Sequence, residues 1–296
     1  MTTPPPADMP AKKAARRALL HQFEVLRKHL LQVFATPAEA ERIHKLRVAV
    51  RRATAAVDAF APCLPRRTHR RARRTLRDVR RAAGAARDWD VFFPAIAGWA
   101  NTQPDAVRPF ADALLGWSAS KRDSAHLGLL GLADVHPAGM DDTLDDLVAA
   151  LRRPKGDPSV AALGRERVAA LQAELAAASE HEPTADAEYH RVRIVGKRLR
   201  YAAELFADHL PDAEKIDADM RALQDALGRF NDAVVGESHL AAFADHFRKF
   251  HPAEWERLKP GADALGEHFA AVRAAERQRF HEWRTQSTPH PAGAAD

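Results

Sequence analysis

The sequence predicts an all-α fold, and three observations carry that expectation. Alanine is abundant while alternating β-branched runs are missing, so nothing supports a strand period. Apolar residues recur at helical spacing, as in Ile43, Leu46, Val50 and Val57. Prolines fall where helices should start or stop.

In chain order, helices are expected over 11–34, 38–60, 66–85, 88–100, 105–126, 141–152, 159–180, 185–208, 212–228, 231–248 and 253–285. Residues 38–60 and 185–208 each combine an apolar stripe with a basic one. The breaks after 85 and 228 rest on Gly84 and Gly228, each followed by Arg or Asn and then Asp88 or Asp232, a cap-and-turn pattern. The stretch RRPKGDPS (152–159) mixes proline, glycine and charge and reads as a joint. The expected organisation is a disordered tail at 1–11, a helical half at 12–151, a linker at 152–158, a second helical half at 159–287 and a disordered tail at 288–296.

Composition narrows the function classes. The 296 residues suffice for two ordinary domains, and 46% apolar with 29% charged residues is a globular balance. The lone Cys63 excludes a disulfide framework and a cysteine zinc site. No apolar run approaches the ~20 residues of a membrane span. The N-terminal MTTPPPADMPAKKAARR lacks the apolar core of a secretory signal, so a soluble, reducing, cytoplasmic setting is expected.

Charge is distributed unevenly. Fourteen Lys and Arg lie between Arg42 and Arg81 against only Asp58 and Asp78, in a chain whose net charge is +5. Nine arginines fall within residues 66–81. A second cluster, Arg191, Arg193, Lys197, Arg198 and Arg200, contains no acid, while acid collects at Asp141, Asp142, Asp145 and Asp146. Like charges so densely placed repel one another, and solubility does not require them.

The chain also repeats itself. IHKLRVAVRRATAAVDAF (43–60) aligns with YHRVRIVGKRLRYAAELF (189–206), placing His44 on His190, Arg47 on Arg193, Arg51 on Lys197 and Phe60 on Phe206. LRDVRRAAGAARDWDV (76–91) aligns with MRALQDALGRFNDAVV (220–235), placing Gly84 on Gly228, Arg87 on Asn231 and Asp88 on Asp232. The offset between the two matches changes by only two residues. Two similar antiparallel helical bundles, an internal duplication about a pseudo-two-fold axis, are therefore expected.

Helical geometry turns the repeats into ridges. His44, Arg47 and Arg51 share an arc of roughly 60°, and His190, Arg193, Lys197 and Arg200 one of roughly 80°. Arg70, Arg73, Arg77 and Arg80 form a third row. Arginine forks suit phosphate, and a line of cations suits a linear polyanion better than a compact ligand. Carboxylates spaced to neutralise these ridges within their own helices are largely missing, and Arg47 and Arg193 are expected at solvated positions.

Other chemistries find little support. Glu41 and His44 have the E-x-x-H spacing of di-iron bundles, but Ala187 replaces the second glutamate, so no metal site and no cofactor are expected. Enzyme signatures such as G-x-x-x-x-G-K-[ST], G-x-S-x-G and H-E-x-x-H are absent, and no enzymatic activity is expected. Phosphotransfer through His44 or His190 remains a third reading. The aromatic residues lie mostly off the ridges, which weakens nucleic-acid binding as the second.

IHKLRVAVRR, AARDWDV, YHRVRIVGKRLRY and LQDALGRFNDAVV resemble the CHAD (conserved histidine α-helical domain) family, over about residues 12 to 285. The resemblance implies two bundles around a basic groove or pore, binding of inorganic polyphosphate, and targeting to polyphosphate granules. Carried over by position, His44, Lys45, Arg47, Arg51, Arg52, His190, Arg191, Arg193, Lys197, Arg198 and Arg200 would line that groove. Arg70, Arg73, Arg74, Arg77, Arg80, Arg81 and Arg221 join them as candidate polyphosphate contacts. The E-x-E-x-K of the triphosphate-tunnel domain that often accompanies the family is missing, so a stand-alone domain is expected. Two departures stand out. Gly196 replaces the apolar residue expected opposite Val50, and residues 212–228 carry only Lys215 and Arg221 where the first half has its arginine run.

Overall fold

A computed structural model describes residues 6–36, 39–132, 136–152 and 157–287. Among these the chain is all-α, with one isolated backbone bridge and no strand. The helices are α1 (Ala11–Ala35), α2 (Ala40–Ala59), α3 (Arg66–Ala100), α4 (Arg108–Leu130), α5 (His136–Ala150), α6 (Val160–Ser179), α7 (Asp186–Leu205), α8 (Ala213–Phe250) and α9 (Pro252–Ser287). None of them is long and apolar enough to cross a membrane.

Two expected breaks do not exist. Residues 66–85 and 88–100 form the single helix α3, and 212–228 and 231–248 form the single helix α8. Gly84 and Gly228 therefore sit inside helices and cap nothing. A glycine ends a helix when the chain beyond it has a reason to turn, and here the apolar stripe continues. Ala83 and Ala86 are both buried in α3, as are Leu227 and Phe230 in α8. Pro94 and Pro260 lie within helices, as the expected spans 88–100 and 253–285 already had them.

The chain divides into two compact units, one comprising Met1–Phe93, Ser118–Val168 and Tyr201–Ala213, the other Pro94–Trp117, Ala169–Arg200 and Glu214–Asp296. Each draws on both sides of the 152–158 joint. In the first unit α1 packs against α2 and α5. Its core holds Leu19, Phe23, Leu26 and Leu30 of α1, Ile43, Leu46, Val50 and Val57 of α2, and Leu76 and Val79 of α3. Phe60, at the end of α2, meets Phe206 edge to face at 5.5 Å.

Residues 9–11, expected in a disordered tail, are tied down within this unit. Ala11 N–H donates to the Pro158 carbonyl (2.9 Å) and Val160 N–H to the Met9 carbonyl (2.8 Å), while Lys12 Nζ lies 3.0 Å from Asp157. The remainder of the expected linker (153–156), residues 1–5 and the expected tail 288–296 lie outside the described residues.

The second unit is built on aromatic contacts. Phe110 meets Phe243 edge to face at 5.7 Å and Trp99 at 6.2 Å, and Tyr189 packs on Phe230 and Phe280. The departure at Gly196 has its reason here, because a Cβ at that position would stand 2.6 Å from Leu223 Cδ2. The small residue lets α7 approach α8 closely.

Candidate functional site

The apolar stripes of α2 and α3 fix which side chains reach solvent. Ala72, Leu76, Val79 and Ala83 are buried along α3, which turns Arg70, Arg73, Arg77 and Arg80 outward as an exposed row. Arg74 and Arg81 are exposed beside that row. Among the described residues no carboxylate stands within ion-pair distance of Arg51, Arg70, Arg74, Arg77, Arg80 or Arg81. Arg73 differs, because it pairs with Asp58, which also lies 3.2 Å from His69 Nε2. Burial, then repulsion by Arg73, Arg51, Arg81 and Arg77, holds the Arg80 pKa below its ordinary value.

Arg47 is not solvated as expected. Its side chain is only 19% exposed, and one guanidinium nitrogen donates both to the Gly84 carbonyl (3.0 Å) and to Asp88 Oδ1 (3.1 Å). It fastens α2 to α3. Burial, then Arg51, lowers its pKa, and Asp88 opposes that shift. Asp88, flagged as a cap from the sequence, is instead the acceptor of this bridge.

The structure splits the candidate cations of α2 between two faces. His44, Arg47 and Arg51 share electrostatic surroundings with α3. Lys45 and Arg52 face α1 and are paired, Lys45 with Glu41 (3.5 Å) and Arg52 with Glu204 (2.6 Å). They line a groove of about 550 Å³ with His21, Val25, His29 and His44. Sequence reasoning missed His21 and His29, whose signal was a recurrence on one flank of α1.

Arg87 was read only as the repeat partner of Asn231. It belongs with the cationic set, since after partial burial it is the strongest influence lowering the His44 pKa below 6.5, ahead of Arg51 and Arg47, with Glu41 opposing.

In the second unit α7 carries its cations opposite the buried Val192, Val195 and Leu199. His190 and Arg191 are exposed, and Arg193, Lys197 and Arg200 are half-buried. His190 Nδ1 lies 3.3 Å from Asn231 Oδ1. One guanidinium nitrogen of Arg198 donates to both carboxylate oxygens of Glu174 (2.7 and 2.9 Å), and Arg221 pairs with Asp217 (2.7 Å). Lys45, Arg52, Arg198 and Arg221 thus have carboxylate partners, two of them from distant helices. Among the described residues no three His, Cys, Asp or Glu side chains converge as a metal site.

The described residues form an all-helical scaffold that carries rows of outward arginine. The chain belongs to the CHAD domain family, whose model matches residues 17–241. Its structure is similar to that of the CHAD domain from the plant Ricinus communis, at 21% identity and a TM-score of 0.76 over 98% of this chain and 96% of that one. It is also similar to PptA from Streptomyces chartreusis, at 18% identity and a TM-score of 0.69 over 93% and 99% of the two chains. At these identities the likeness shows the fold. No curated protein matches the sequence.

Proposed function

We propose that this protein binds inorganic polyphosphate along the cationic face of α2 and α3, and that this binding directs it to polyphosphate granules. The observation that carries the reading is the row Arg70, Arg77 and Arg80 of α3, with Arg74 and Arg81 beside it and Arg51 of α2 acting on Arg80. Among the described residues these arginines have no carboxylate partner, and the helical frame spaces them along a line. A linear anion gains one modest contact per arginine, and the contacts accumulate because its phosphates are connected. Membership of the CHAD family supports the same ligand. His190, Arg191, Arg193, Lys197 and Arg200 of α7 are a separate set of candidate contacts on the second unit. The action is binding, without catalysis.

The test is a titration with labelled long-chain polyphosphate at fixed ionic strength, competed with pyrophosphate and with single-stranded nucleic acid. Long chains are expected to bind far more tightly than pyrophosphate, with affinity falling steeply as salt rises. Equal affinity for pyrophosphate refutes the linear site, and stronger competition by nucleic acid favours that ligand instead. A fluorescent fusion whose granule localisation survives Arg77→Glu with Arg80→Glu would refute the targeting role.

A further inference from the structure

Beside the arginine row, the helix α5 gathers acid. Its sequence HPAGMDDTLDDLVAA holds four aspartates and no lysine or arginine. Met140, Thr143 and Leu147 are buried, so the helical period turns Asp142 and Asp145 outward, with Asp141 and Asp146 on the two flanks. Packing fixes where this face stands. Asp142 and Asp146 reach Arg71 of α3 at 3.6 and 2.5 Å, and Thr143 Oγ1 lies 3.1 Å from Thr75 Oγ1. On the far flank Asp141 lies 3.8 Å from Arg27 of α1. Arg71, Thr75 and Asp78 follow one another at i, i+4 and i+7, and they form the line of α3 that borders α5. The two borders of α3 differ. Towards α2 the acids Asp58 and Asp88 are held by Arg73 and Arg47. Towards α5, among the described residues, Arg71 is the one cation within ion-pair distance of Asp142 and Asp146, and Asp145 has none.

We propose that the aspartate face of α5 is a selectivity edge for the arginine row: it leaves room for one narrow polyanion strand and repels a double-stranded nucleic acid that overhangs the row. This rests on the polyanion reading of the α2–α3 face. The carboxylates take no ligand of their own. Packed helices stand about 8–10 Å apart, so the outward aspartates lie roughly that far to the side of the row. A single flexible strand follows a row one helix wide and keeps its phosphates on the arginines. A duplex carries two phosphate strands, separated by grooves of about 6 and 12 Å. As it winds, those strands pass over both flanks of the row, α5 included. Phosphate set against Asp142, Asp145 and Asp146 is repelled. Discrimination then comes from the charge that faces the wrong ligand, and not from a tighter fit to the right one.

Paired titrations of the full chain test the edge. Long-chain polyphosphate and a mixed-sequence DNA duplex, matched in number of charges, are titrated at one ionic strength, and the ratio of their dissociation constants is read. The wild type should favour polyphosphate. Neutralising α5 with Asp141→Asn, Asp142→Asn, Asp145→Asn and Asp146→Asn should narrow the ratio about tenfold, mostly by tightening the duplex. The same change of four charges on the second unit, Asp245→Asn, Glu254→Gln, Glu256→Gln and Glu267→Gln, controls for net charge and should tighten both ligands by one similar, small factor. Exposed ion pairs contribute little to stability, so the α5 variant should keep its helical content. Asp142→Asn with Asp145→Asn leaves the Arg71–Asp146 pair in place and should narrow the ratio in the same direction by less. A ratio that moves no more on changing α5 than in the control, or a wild type that holds the duplex as tightly as polyphosphate, overturns the edge and leaves polyphosphate binding standing. Absence of polyphosphate binding by the wild type overturns the reading beneath both.

Discussion

Replacing Arg47 with methionine tests whether this arginine is a structural bridge, since methionine keeps the apolar stem and removes the charge. The side chain is 19% exposed, and its guanidinium donates to Gly84 at 3.0 Å and to Asp88 at 3.1 Å. Hydrogen bonds to charged groups contribute roughly 1.5–3 kcal/mol. The Asp88 side chain is 45% exposed, so its ionic part adds little, about 0–1 kcal/mol. Releasing a buried guanidinium and its repulsion by Arg51 and Arg87 returns part of the loss. The expected net destabilisation is about 1–2 kcal/mol. Urea unfolding followed by far-UV circular dichroism reads it as a lower midpoint at unchanged slope. A midpoint equal to or above the wild type refutes the bridge and returns Arg47 to the ligand-binding set. Arg47→Glu should lose more, because it sets a carboxylate against Asp88. Weakened polyphosphate binding in that variant would therefore mix folding with recognition. Arg51→Glu and Arg77→Glu, at positions without a carboxylate partner among the described residues, isolate recognition.

Glycine positions should separate sharply. Gly196→Ala forces a Cβ to 2.6 Å from Leu223 Cδ2 and should cost about 1–3 kcal/mol, whereas Gly228→Ala, with nothing within 4 Å, should stabilise by about 0.5–1 kcal/mol through helix propensity. Opposite shifts in melting temperature check the pair, and equal shifts contradict the packing. Cys63 is buried, and burial, reinforced by Asp157 and opposed by Lys12, pushes its thiol pKa up to about 11. It should react with a thiol reagent only on unfolding, and prompt labelling of the native protein would show the site to be open. The Asp90 side chain is fully buried and accepts from Arg122 at 2.6 Å, with His126 Nε2 at 3.1 Å, so Asp90→Ala should cost about 1–3 kcal/mol through the loss of a charged hydrogen bond. Retention of wild-type stability would show that the Asp90 contacts do not hold the fold.

The faces of α2 and α7 were legible because each depends only on helical period. Ile43, Leu46 and Val50 are buried, as are Val192, Val195 and Leu199, and the cations opposite them follow. The lengths of α3 and α8 were not legible. Gly84 and Gly228 have the composition of stops, but burial on both sides of each outweighs a glycine cost of about 1 kcal/mol. Lys45–Glu41 and Arg221–Asp217 are local pairs, but other neutralised cations were hidden because their acids come from far along the chain. Arg52 meets Glu204, and Arg198 meets Glu174. The Arg47–Asp88 bridge spans 41 residues of sequence and was invisible to any local pattern. Arg87 was visible as half of a repeat match, yet its meaning came from the histidine it acts upon.

The crowding of arginines on α2 and α3 sets like charges against the fold itself. Folding gathers Arg51, Arg73, Arg77, Arg80 and Arg81 into one field, and their mutual repulsion weighs against the fold whenever no anion is present. Simple salt should therefore raise the melting temperature of the ligand-free protein while loosening its hold on a long polyanion. These opposite responses have one origin. Under the proposed function, plentiful polyanions would hand the protein from one to another, and exchange between competing chains, set by their length and concentration, would become the event that matters.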